Sequence, residues 1–160
     1  AKPNPTGCKD VSAFLAERGI SKPVVNVPGC PPHPDWLLGT VASIVLKGLP
    51  GVGDVDDIGR LKVFFGGLIH DNCPRRGFFD AGQFAKRLSE PGCLYELGCK
   101  GPQTYADCPT RHWNNGVNWC IGNGSPCHGC VEPEFPDQVS PLYRKLTRER
   151  FGELKVATRA

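Results

Sequence analysis

Long apolar runs are missing from this sequence. The best candidate, WLLGTVASIVL, falls well short of the roughly 18 residues that a membrane-spanning helix needs, and Gly and Ser interrupt it. No helix of the given sequence is therefore expected to cross a bilayer. The opening stretch AKPNPTGC lacks the charged segment followed by an apolar one that marks a secretory leader, so the sequence itself reports no compartment. Basic residues are not interleaved with aromatic ones, so no nucleic-acid partner is expected. There is no internal repeat and no low-complexity tract. Aliphatic and aromatic residues also thin out after residue 90, which leaves the second half short of apolar surface to bury.

What the chain has instead is Gly, Pro and Cys. Twenty Gly and sixteen Pro exceed a fifth of the 160 residues, without the period of collagen, and predict a second half rich in turns. The net charge of +3 is unevenly placed: from residue 141 to the end six basic residues face two acidic ones, leaving about −1 for the rest. A basic tail can touch an acidic partner, a membrane or nucleic acid, but mixed signs at helical spacing read first as a solvated helix face.

The first third reads as α/β. DVSAFLAERG predicts a short helix with Asp10 as N-cap and Gly19 just past its end. PVVNV predicts a short buried strand, and VPGCPPHPDWLLGTVASIVLKG a loop carrying Cys30 followed by a helix ending near Gly48. Strand, loop, helix is the order in which parallel sheets present ligands. A turn-rich link and a second apolar run, LKVFFGGLI, follow. Beyond His70, FFDAGQFAKRL predicts one short helix and SPLYRKL another, with Ser140 as N-cap and Pro141 in the first turn.

Nine cysteines need a reason: Cys8, Cys30, Cys73, Cys93, Cys99, Cys108, Cys120, Cys127 and Cys130. An odd count with wide spacing counts against a disulfide framework. Structural zinc favours two close pairs, and only Cys127 and Cys130 form one. Iron–sulfur ligation suits the pattern best, because it combines one short C-x-x-C pair with ligands from distant loops. The Gly-rich segment GNGSPCHGC lets backbone approach inorganic sulfide, and a cluster would cross-link loops that lack apolar glue. His70 and Cys73, three residues apart, could share one metal, or His70 could be a hydrogen-bonded loop histidine. For His112 and His128 a surface or hydrogen-bonded role is expected.

The strings KPNPTG, VPGCPPHPDW, FFGGLIHDNCPR, FFDAGQFA, CLYELGCKGPQTYADCP and SPCHGCVEPEFPD together resemble the small, electron-transferring subunit of nickel–iron hydrogenases. The likeness runs from the first residues to about Tyr143. It implies the end of a flavodoxin-like α/β domain over residues 1–60, a loop-rich, mostly irregular and α-helical iron–sulfur cluster domain over 61–143, and a basic tail over 144–160. Position by position, it implies that Cys30 is one ligand of the cluster nearest the active site. His70, Cys73, Cys93 and Cys99 match the outermost [4Fe–4S] set, and Cys108, Cys127 and Cys130 match the middle one.

The sequence departs from the family pattern in three places. The N-terminal half that supplies the other ligands beside Cys30 is not in this chain, which is expected to be a fragment or to rely on another chain for them. Cys120 stands where many members have Pro, so the middle cluster is expected to be [4Fe–4S], with [3Fe–4S] and a free Cys120 thiol as the other option. Cys8 replaces a common Ala and is expected to be small, buried and not a ligand.

The function implied is an electron relay with no catalytic residue of its own. It would link the nickel–iron centre of a partner large subunit, in a heterodimer or a dimer of heterodimers, to an external carrier such as a cytochrome or ferredoxin. A periplasmic or membrane-associated location, attachment being through another subunit, is expected before a cytoplasmic one. Lys100, beside Cys99, is expected to offset cluster charge. Arg75 and Arg76 are expected to be solvated, or to steer an anionic partner. The competing reading is a non-catalytic interaction module stabilised by zinc or a cluster.

Overall fold

The computed structural model describes residues 4–133, 135–137 and 142–145. Five α-helices occur among them: α1 (Val11–Glu17), α2 (Pro34–Lys47), α3 (Lys62–Phe65), α4 (Arg76–Asp80) and α5 (Cys108–Arg111). One-turn 3₁₀ segments lie at Ile69–Asn72, Tyr95–Leu97 and Gly101–Gln103. The two longest helices start and stop as their sequences predict. Asp10 Oδ1 accepts the Ala13 N–H at 2.9 Å to cap α1, and the chain leaves that helix through Gly19 at φ +65°. The ring of His33 caps α2 through Asp35 N–H, Pro34 fills its first position, and Gly48 ends it. Among the described residues no helix is long and apolar enough to cross a membrane.

The expected strand over residues 23–27 does not form, and among the described residues the only β pairing is four isolated bridges. A buried strand is held by ladders to its neighbours. Here the segment is irregular, and Asn26 ties it to the following turn, its N–H donating to Gly59 O at 2.8 Å. Of the α/β layout expected for residues 1–60, the helices are present, and no sheet occurs among the described residues.

Two further expectations are corrected. FFDAGQFAKRL is helical only through Asp80, because Gly82 turns left-handed and the Gln83 N–H closes on Phe78 O at 2.7 Å. The remainder runs beside Cys93, with Ala85 N–H donating to Cys93 O at 3.0 Å and Cys93 N–H to Gln83 O at 2.9 Å. Cys8 is exposed, not buried. Its N–H and carbonyl are both held by the Asn4 side chain in a surface turn. The helix expected over SPLYRKL has Ser140, Pro141 and Leu146 outside the described residues.

The apolar core sits where α2, α3 and the loops meet. Trp36, Phe65, Ile69, Leu94, Trp119, Ile121 and Val131 are each at most 4% exposed. Gly39 lets α2 lie directly on Phe64, since a Cβ there would stand 2.6 Å from the ring. Two polar braces tie the first third to the rest. The Trp36 indole donates to Asp107 Oδ1 at 2.8 Å, and Arg111 grips the other oxygen of that carboxylate. Arg60, buried against Phe65, donates to Asp56, to Val131 O at 2.9 Å and to Glu132 at 3.2 Å. Glu132 also accepts the Tyr105 N–H at 2.7 Å.

Removing one partner of a buried ion pair leaves an uncompensated charge. Arg60→Met, beside a Glu132 side chain only 2% exposed, is therefore expected to cost about 3–5 kcal/mol of stability. A denaturant titration reads this as a lowered midpoint, whereas an unchanged midpoint would show the brace to be idle.

Candidate metal centres

The eight residues expected as outer and middle ligands fall into two adjacent enclosures. His70, Cys73, Cys93 and Cys99 line the first, together with Ile69, Leu94, Tyr95 and Arg75. His70 lies on the 3₁₀ turn Ile69–Asn72, and Cys73 is its C-cap, so one short turn presents both donors. The His70 ring meets Phe79 edge-on at 4.6 Å, and Phe79 in turn packs on Tyr95 and Phe84. That aromatic wall fixes the imidazole plane. Cys93 is placed by the bridge to Phe84. Cys99 follows Gly98, whose φ of +93° is left-handed, and a Cβ at Gly98 would strike the Arg144 backbone at 2.5 Å.

Cys108, Cys120, Cys127 and Cys130 line the second enclosure, walled by Trp36, Trp113 and Trp119. Cys108 opens α5, and the other three stand in loops. The two enclosures touch through Cys99, whose Sγ accepts N–H groups from Gly101 and from Cys127, each at 3.4 Å. Cys30 is exposed and lies at the rim of the second enclosure, where its backbone N–H faces the Cys130 thiol. Cys30 thus shares the lining of Cys108, Cys120, Cys127 and Cys130.

Burial dominates the electrostatics of both sets. It pushes the Cys99 thiol up to about 11 and Cys108 up to about 12. Cys127 is raised well above the ordinary range by the same desolvation. Cys73, Cys93, Cys120 and Cys130 are raised too, with burial the leading cause in each. Thiols held neutral in this way become thiolates when a cationic centre takes the place of the proton. No disulfide joins any of the nine. Among the described residues no three His, Cys, Asp or Glu side chains close on a single-ion position. Donors spread round an enclosure suit a polynuclear iron–sulfur group better than one zinc ion.

Residues 65–143 match the family model described as NiFe/NiFeSe hydrogenase small subunit, C-terminal. The periplasmic [NiFeSe] hydrogenase small subunit of Desulfomicrobium baculatum is 53% identical over 147 residues, covering 89% of this chain and 46% of that protein. The chain belongs to the nickel–iron hydrogenase small-subunit family. It spans about half the length of the curated relatives it matches. A solved [NiFeSe] hydrogenase from the same organism superposes with a TM-score of 0.84 at 52% identity, covering 91% of this chain and 53% of that one. An actinobacterial-type NiFe-hydrogenase from Ralstonia eutropha H16 gives 0.81 at 35% identity, covering 94% and 45%.

Within this family member, several side chains do more than the sequence suggested. Arg75 is not a solvated charge: it donates to Glu90 O and Gly92 O at 2.7 Å each, bracing the approach to Cys93. His128 is not a surface histidine either, since its Nε2 is buried and finds no hydrogen-bond partner among the described residues. His112 is hydrogen-bonded, as expected, with Nδ1 3.1 Å from Gly116 O. Arg76 pairs with Asp80 and Asp71.

A thiol whose pKa is higher folded than unfolded stabilises the fold below the unfolded value and loses that contribution as pH rises. Metal-free protein is therefore expected to lose stability from about pH 9, where unfolded thiols ionise, to about 12, the folded value at Cys108. Denaturant midpoints measured across that window should fall, and a rise would contradict the burial argument.

Proposed function

We propose that this chain is an electron relay, carrying iron–sulfur clusters between the nickel–iron centre of a partner large subunit and an external carrier such as a cytochrome or ferredoxin. The observation that supports it most directly is the pair of neighbouring enclosures, joined at Cys99, that between them gather the eight expected donors. In this reading His70, Cys73, Cys93 and Cys99 hold the outer [4Fe–4S] cluster, and Cys108, Cys120, Cys127 and Cys130 the middle one. Such clusters, when bound, accept and release one electron at a time. The protein supplies spacing, dry walls and N–H groups aimed at sulfur, and the Cys127 N–H to Cys99 Sγ contact gives a short route between the sets. Cys30 is assigned to the cluster nearest the active site, completed by donors from elsewhere.

Residues 1–60 are read as the end of a flavodoxin-like unit, 61–143 as the cluster domain and 144–160 as a basic tail. Hydrogen chemistry belongs to the large subunit, in a heterodimer or a dimer of such pairs. The relatives named as periplasmic enzymes support a periplasmic location.

Protein isolated without oxygen is expected to be brown, to absorb broadly near 400 nm, and to contain iron with acid-labile sulfide; a colourless, zinc-loaded protein sinks the proposal. Cys120→Pro is expected to turn the middle cluster from four-iron to three-iron and to raise its potential, visible by EPR of the oxidised protein. Identical spectra in both redox states would remove Cys120 from the ligand set.

A further inference from the structure

Lys100 is only 1% exposed, an unusual place for an ammonium group. Its side chain lies between the loop that carries Cys127 and Cys130 and the loop that carries Cys99. The stem lies over Gly129, between Cys127 and Cys130, where an added Cβ would stand 3.4 Å from the lysine Cβ. The head reaches the outer loop, donating to Gly98 O at 2.8 Å and to Arg144 O at 2.7 Å. Its own backbone is pinned on the middle side, with N–H donating to Cys127 O at 2.7 Å and C=O accepting from Thr104 Oγ1 at 2.7 Å. The ammonium group is held by two carbonyl oxygens, those of Gly98 and Arg144.

We propose that Lys100 is a tuning residue shared by both clusters, a fixed buried cation that raises the potential of the outer and middle centres together. The inference rests on the relay reading above. Reduction adds negative charge to a cluster, so a cation held nearby in a poorly polarisable interior favours the reduced state. Its charge acts on Cys99 of the outer set and on Cys127 of the middle set. Arg75, by contrast, acts on Cys73 and Cys93, both in the outer set. Lys145 pairs with Glu96 at the surface and is 41% exposed, where solvent screens it. Lys100 alone among these three cations bears on both sets.

The test is an EPR-monitored redox titration of the subunit purified anaerobically with its large-subunit partner, comparing wild type, Lys100→Met, Lys100→Arg and Lys145→Met. Lys100→Met keeps the stem and removes the charge. Both midpoint potentials are expected to fall together with line shapes unchanged, while Lys100→Arg and Lys145→Met leave the two potentials near those of the wild type. A loaded Lys100→Met protein in which neither potential moves, or only one, overturns the inference. Should Lys100→Met fail to load, Lys100→Gln and Lys100→Arg decide. A fall of both potentials in the Gln variant, or loading restored by Arg with wild-type potentials, supports the shared charge; loss of loading in Arg as well shows a packing role and overturns it. A wild-type protein without iron and sulfide would instead sink the relay reading itself.

Discussion

Desolvation of sulfur is the constraint on which the rest of this structure depends. Seven of the eight proposed donors are thiols, and burial raises all seven. Such groups are held neutral in the bare protein and gain most from an inorganic centre that replaces their protons. The loops that carry them have little regular structure, so backbone hydrogen bonds and glycine-permitted turns set their path against the apolar core. Gly98 shows the trade: its left-handed φ lets Cys99 turn inward and lets the Arg144 backbone pack directly overhead. A side chain there would separate the strap from the loop.

The polar braces serve the same end from outside. Arg60 ties the turn at Asp56 to the carbonyl of Val131, the residue after Cys130. Trp36 reaches Asp107, the residue before Cys108, from the first turn of α2. Each brace fixes a donor-bearing loop by a neighbour of the donor and not by the donor itself, so that the sulfur stays available. Arg75 does the same for Cys93 through the carbonyls of Glu90 and Gly92. Together they hold the cysteine-bearing loops in place, as the proposed relay between fixed centres requires.

Much of the local structure was legible. Asp10, Pro34, Gly19 and Gly48 mark helix ends by rules that act within one turn, and the helices obey them. The strand at residues 23–27 was not, because β-branched residues specify an extended segment while a strand also needs partners. The short helix read into FFDAGQFAKRL stops before Gly82, where the gain of pairing with Cys93 outweighs helical propensity. Arg75 and His128 were misjudged for a common reason: exposure is a property of what packs overhead, and composition says nothing of it.

The sequence by itself determined the inventory: which sulfurs and which imidazole are present, which turns carry them, and where glycine allows the backbone to close in. These follow from residue type and short spacing. Only the tertiary structure decided which of the expected donors share an enclosure, that Cys99 touches the neighbouring set, that Cys30 lies at the middle rim, and that Lys100 is buried between the Gly129 loop and the Gly98 carbonyl. Those outcomes depend on contacts between loops far apart in the chain, such as Cys99 with Cys127 and Lys100 with Arg144. Loop closure over such separations is set by the packing of the whole domain, and no local rule encodes it.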